Sequence, residues 1–173
     1  MVQKVQRQQV LKRLRSAQEI QRRLEELEIK QKELEQQGVE VEKMFRREGH
    51  GSDSKEEAEL MQKWYTLIHS KNKLTREEQE LVIRLKDLEL EDRHSKLQQT
   101  LRERLAQNSD KTEAQIMEER KILAEMLEIV EKRDELVAML EQLRLREVEE
   151  EKNATTEVFS KGMKSPLSPG EKS

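Results

Sequence analysis

The 173-residue chain has no cysteine, two prolines, five glycines and only 2% aromatic residues. Without cysteine there is no disulfide frame and no thiol nucleophile. Both prolines, Pro166 and Pro169, lie near the C-terminus, so no proline interrupts a helix in the rest of the chain. Only 33% of residues are hydrophobic, too few for a thick globular core, and thin helical layers, each helix burying one stripe, suit such a sequence better. No apolar run approaches the roughly 18 residues of a membrane span, and Met1-Val2-Gln3-Lys4 does not open a signal peptide. Charge is abundant at 41%, with 34 basic and 37 acidic residues and a net charge of −3. That balance lacks the basic footprint of a nucleic-acid binder. Read over the whole chain, acids and bases alternate without a cationic face, which speaks against a membrane-surface helix and against direct membrane insertion. The expectation is a cytoplasmic, all-α protein.

The organising stretch runs from about Lys55 to Gln107, without proline or glycine. As one helix it would be roughly 80 Å long, at about 1.5 Å per residue. Its early stripe is Leu60, Trp64, Leu67, Leu74, Leu81, Leu85 and Leu88. Its late stripe is Ile83, Leu90, Leu97 and Leu101, with Leu105 one turn on. The two are offset by two residues, about 200° around a helix, so one helix offers nearly opposite faces at its two ends. A first helix is expected over about 2–48, on Val10, Ala17, Ile20, Leu24, Leu27, Leu34, Val41 and Phe45, with Gln31 and Gly38 filling two stripe positions. Gly38 reads as tolerated weakness in a helix, costing about 1 kcal/mol against alanine, or as a close approach by a neighbour. Gly49 to Asp53 forms the first break, and Ser54-Lys-Glu-Glu57 fits a capping box. Asn108-Ser109-Asp110 forms the second, followed by the box Thr112-Glu-Ala-Gln115. A third helix is expected over about 112–152, on Ile122, Met126, Ile129, Leu136, Leu140 and Leu143. Residues 153–173, with Ser165-Pro166 and Ser168-Pro169, read as a disordered tail. Short connections make consecutive helices antiparallel. Opposite faces on the middle helix favour three long antiparallel helices in an open flat layer over a closed bundle.

The chain is self-similar. Leu27-Glu-Ile-Lys-Gln-Lys-Glu-Leu34-Glu35 matches Leu81-Val-Ile-Arg-Leu-Lys-Asp-Leu88-Glu89 at an offset of 81 − 27 = 54. Leu60-Met61, Leu67-Ile68, Lys71-Asn72 and Leu74 match Ile122-Leu123, Ile129-Val130, Arg133-Asp134 and Leu136 at 122 − 60 = 62. Shared leucines follow from heptads alone, whereas the agreement of basic, Asn/Asp and β-branched positions points to duplication. One unit is then helix 1 with the first half of helix 2, the other the second half of helix 2 with helix 3.

No phosphate loop, nucleophile elbow or dinucleotide fingerprint is present. His50 lies in a loop, and His69 and His94 lack a metal-type i, i+4 partner, so they read as surface or stripe residues. Trp64, Tyr65 and Phe45 read as packing residues near the first hairpin. No catalytic residue, metal or cofactor is expected, and the function left is recognition through helix faces. Apolar residues off the stripes are the ones to watch: Val39, Ile68 and Val82 in one unit, Leu123, Val130, Val137 and Met139 in the other. They form either a binding surface or a widened seam. A coiled-coil or spectrin-like spacer that self-associates is the alternative architecture of use, although a continuous dimeric coil would keep one seam throughout.

The run from Arg22 to Lys43, Leu60-Met-Gln-Lys-Trp64, Lys71-Asn72-Lys-Leu74, Glu128 to Val137 and Leu143-Arg-Leu-Arg-Glu147 together resemble the bivalent Rab-binding domain of the MICAL and EH-domain-binding-protein family, the MICAL branch in particular. The resemblance covers about Leu14 to Glu151. It implies a long central helix with two helices folded back on it. It also implies binding of GTP-loaded Rab small GTPases of the exocytic and recycling group, up to two per chain, and recruitment to endosomal or vesicle membranes. In MICAL proteins such a domain is C-terminal and restrains a distant flavin monooxygenase through intramolecular contact, which implies a link to the cytoskeleton. The terminal prenylation-type cysteine of some relatives is missing here. Carried over by position, the resemblance places one Rab site at Val137, Leu140, Glu141 and Arg144, and the other at Thr75, Glu78, Gln79 and Val82. Thr75 stands where the family often has an apolar residue, and a hydroxyl there weakens that site unless it finds a hydrogen bond, so the site on helix 3 is expected to be the stronger.

Overall fold

The computed structural model describes residues 2–48, 54–107 and 110–167, and these form three helices. They are α1 (Val2–Glu48), α2 (Ser54–Ala106) and α3 (Glu113–Leu167), with no strand among the described residues. The breaks at Gly49–Asp53 and Asn108–Ser109 lie outside the described residues, as do residues 168–173. α2 packs against α1 and against α3, while α1 and α3 make no contact among the described residues. The layer is therefore open, with α2 in the middle. No helix is long and apolar enough to cross a membrane among the described residues.

The seam rows follow the sequence periodicity except at Val10, which is exposed. On α1, Leu27 and Val41 are buried, and Ala17, Ile20, Leu24, Gln31, Leu34 and Phe45 are half-buried. Leu27 is 0% exposed, and burying such a leucine stabilises by roughly 1.5–3 kcal/mol. On α2 every member of the early stripe is at least half-buried, with Leu60 the most enclosed. Of the late stripe, Ile83, Leu90, Leu97 and Leu101 are half-buried and Leu105 is exposed, near the helix end. On α3, Ile129 is buried, and Ile122, Met126, Leu136, Leu140 and Leu143 are half-buried beside it.

Charged residues pair across both seams. Arg23 Nε donates to Glu77 Oε1 at 2.8 Å and Gln31 Nε2 donates to Glu78 Oε2 at 2.8 Å, across α1 and α2. Arg13 meets Asp92 at 3.5 Å further along the same seam. Across α2 and α3, Arg133 meets Asp87, Arg93 meets Glu125, Arg104 meets Glu118 and Arg76 meets Glu150. α1 thus reaches past the midpoint of α2, and α3 reaches back into its first half. The two seams overlap more than two stripes in separate halves imply, because long Arg and Glu side chains bridge where the aliphatic stripe has faded. Hydrogen bonds to carboxylates raise the pKa values of Arg23 (Glu77 first, then Glu26) and Arg133 (Asp87).

Three local features complete the comparison with sequence. Thr112 and Gln115 form a reciprocal capping box: the Thr112 amide donates to Gln115 Oε1 at 3.0 Å and the Gln115 amide to Thr112 Oγ1 at 3.3 Å. A Cβ at Gly38 would meet nothing within 4 Å, so no neighbour approaches closely there. α3 continues to Leu167 instead of ending near Lys152, where the sequence places the start of a disordered tail. Apolar periodicity reports packing, and its loss at Asn153 does not by itself stop a helix.

Candidate functional site

With the seams filled, the informative residues are apolar side chains the fold leaves outside. All seven off-stripe candidates are exposed: Val39, Ile68, Val82, Leu123, Val130, Val137 and Met139, from 36% at Val82 to 60% at Val137. They do not widen the seams. On α2, Met61, Ile68, Thr75 and Val82 recur every seven residues, and on α3 so do Leu123, Val130, Val137 and Arg144. Each row lies beside its seam, and its apolar members are exposed. Tyr65 is 49% exposed, contrary to the expected packing role, because it sits about 100° around the helix from half-buried Trp64.

Thr75, Glu78, Gln79 and Val82 come together in one place. With Ile83 they line the α2 side of a groove of about 510 Å³, whose α3 side is Met139, Gln142, Leu143 and Arg146. Val82, Ile83, Met139 and Leu143 supply its apolar surface, and the other lining residues are polar or charged. Thr75 is half-buried, and its hydroxyl donates to the Lys71 carbonyl at 2.9 Å. This intrahelical bond satisfies the hydroxyl without a partner. Glu78 is held from the other side by Gln31 of α1. One face of α2 here is thus coupled to both neighbours.

The second set is arranged differently. Val137, Glu141 and Arg144 are exposed, whereas Leu140 is half-buried in the α2–α3 seam. At about 100° per residue, Val137, Glu141 and Arg144 lie on one side of the α3 seam row, while Met139, Gln142 and Arg146 lie on the other. The groove therefore opens on one broad face of the layer, and Val137, Glu141 and Arg144 point to the opposite face. In a flat antiparallel layer this is what a repeated unit requires: stepping from one helix to the next reverses chain direction and turns the layer over. The participation of Met139, Gln142 and Arg146 was not evident from one helix, because it needs the α2–α3 register. No group of His, Asp or Glu able to hold a metal occurs among the described residues.

Comparison with known proteins places this architecture. A family model described as "Bivalent Mical/EHBP Rab binding domain" matches residues 20–154. The chain is 53% identical over 157 residues to the F-actin-monooxygenase MICAL3 of Mus musculus, covering 90% of this chain and 8% of that protein. It is 48% identical over 153 residues to the F-actin-monooxygenase mical2b of Danio rerio, covering 88% of this chain and 9% of that protein. For the F-actin-monooxygenase MICAL2 of Mus musculus the identity is 43% over 157 residues, covering 90% and 8%. The chain thus spans less than a tenth of the length of these curated relatives. On the family match and these identities, the chain belongs to the bivalent Mical/EHBP Rab-binding domain family.

Proposed function

We propose that the domain is an effector module that binds GTP-loaded Rab small GTPases of the exocytic and recycling group on two surfaces. One surface is centred on Val137, Leu140, Glu141 and Arg144, the other on Thr75, Glu78, Gln79 and Val82. The observation that carries this reading is the pair of rows at seven-residue spacing, Met61–Ile68–Thr75–Val82 and Leu123–Val130–Val137–Arg144, each lying beside a filled seam with its apolar members exposed. Apolar side chains at helical spacing, flanked by charge and unused within the fold, suit docking of a folded partner. Matching positions in two half-units support two such surfaces, and their placement on opposite broad faces leaves room for both partners.

In this reading the domain couples Rab-marked endosomal or vesicle membranes to a larger multidomain protein. The relatives are named F-actin-monooxygenases; in this reading the parent is an oxidase of that kind and the domain restrains it until Rab binds. The self-associating spacer has less support, since α2 already spends two opposite faces inside one chain. Isothermal titration with Rab loaded with a GTP analogue or with GDP tests the proposal. Binding confined to the GTP-analogue form, with the tighter event removed by Arg144→Glu, is the expected result. An unchanged titration for Arg144→Glu would refute the site assignment, and indifference to nucleotide would refute the effector role. A constitutive dimer by solution mass, indifferent to nucleotide, would favour the spacer.

A further inference from the structure

The balanced charge of the whole chain conceals a local asymmetry. Residues 2–18 contain Lys4, Arg7, Lys12, Arg13 and Arg15 and no acid, whereas residues 19–48 carry seven basic and nine acidic residues. The family match begins at residue 20, so this segment precedes it. Arg13 points inward and pairs with Asp92 of α2. Lys4, Arg7 and Arg15 are exposed and have no acidic partner among the described residues. Leu11 and Leu14 are exposed among them, at 50% and 52%. At about 100° per residue, Lys4, Arg7, Leu11, Leu14 and Arg15 fall within one arc of about 100°, directed away from Arg13.

We propose that this face of α1 is a peripheral contact for an anionic lipid bilayer. A row of cations spanning about 16 Å of helix is too long for one bound anion and can face several lipid headgroups at once. Two aliphatic side chains between those cations can enter the headgroup boundary while the charges stay among the phosphates. The cations lie along one exposed helix, and the hollow beside Arg15, lined by Lys12, Ser16, Gln18, Glu19 and Arg22 of the same helix, carries an acid of its own, which disfavours an acidic peptide there. The contact lies apart from the rows ending at Val82 and Arg144, so it operates independently of Rab binding.

Sedimentation of the full chain with vesicles tests the proposal. The protein should associate with phosphatidylcholine vesicles containing phosphatidylserine, not with phosphatidylcholine alone, and should be released by salt. Lys4→Gln/Arg7→Gln/Arg15→Gln should lower partitioning on the order of a hundredfold, about fivefold per cation removed. Leu11→Ser/Leu14→Ser should also weaken it at unchanged charge. Circular dichroism checks that each variant keeps its helix, and titration with GTP-loaded Rab should be unaltered in both. No association of the wild-type chain with phosphatidylserine vesicles, or equal association of the neutralised variant, overturns the proposal. Tighter binding to a polyglutamate peptide than to those vesicles overturns the lipid assignment in favour of an acidic protein.

Discussion

Arg133 of α3 holds Asp87 of α2 in a two-pronged contact, Nε to Oδ1 at 2.7 Å and Nη2 to Oδ2 at 3.4 Å. The hydrogen bond to this carboxylate is the leading cause of the raised Arg133 pKa, with Glu91 contributing from 3.9 Å. Both side chains are about a third exposed, so solvent screens the pair and its net contribution is about 0.5–1 kcal/mol. Arg133→Lys should lose most of it despite keeping the charge, because an ammonium cannot reproduce the planar fork. A double-mutant cycle with Asp87→Asn, followed by urea unfolding, measures the coupling. A coupling near zero would mean that this pair adds nothing to the α2–α3 register, leaving it to aliphatic packing and the other ion pairs across the seam.

Gly38 offers a stabilising substitution. It lies within α1, and a Cβ there meets nothing within 4 Å. Gly38→Ala should therefore stabilise the domain by about 0.5–1 kcal/mol through backbone entropy and helix propensity. Thermal unfolding should show a Tm rise of a few degrees. A fall would reveal a neighbour that the open geometry does not contain.

Leu27 and Ile129, at 0% and 2% exposure, are the most enclosed side chains of the two seams. Leu27→Ala and Ile129→Ala should each cost about 2–4 kcal/mol. Exposed Val137→Ala should change stability by less than about 0.5 kcal/mol, since it removes no packed neighbour. Denaturant midpoints of the three variants separate seam residues from surface ones. A large loss for Val137→Ala would mean that it belongs to a seam.

Thr75 tests the proposed asymmetry between the two Rab surfaces. Its hydroxyl is already satisfied by the Lys71 carbonyl, so it adds little desolvation penalty on docking. What it lacks is the second methyl of an aliphatic residue, worth about 0.8 kcal/mol when buried. Thr75→Val should tighten the weaker of two calorimetric events about fourfold and leave the tighter one unchanged. Strengthening of the tighter event would reverse the assignment of the two sites.

Much of the fold was legible because periodicity on each helix reports its own seam. The two-residue shift between Leu81 and Ile83 already implied opposite partners for α2. The Thr112–Gln115 box was readable for the same reason, since its interactions are local in sequence. Features that depend on inter-helix register were not readable. The contribution of Met139, Gln142 and Arg146 to the groove depends on how α3 slides along α2, which Arg133 and Asp87 help to set. Leu140 was readable as a stripe residue, and its half-buried place in the seam agrees with that periodicity more than with the contact role carried over from the resemblance. The cationic face at Lys4, Arg7 and Arg15 was averaged away by a whole-chain charge count.

Because α1 and α3 make no contact among the described residues, the layer they form with α2 is one helix thick. Such a plank resists bending within its own plane, where the outer helices would have to stretch or compress along their length. It yields more readily perpendicular to that plane, where only a thickness of about 10 Å opposes it. Partners docked on the two broad faces, as proposed for Rab, would push along the compliant direction. A gentle curvature imposed by one would be felt, with opposite sign, by the other.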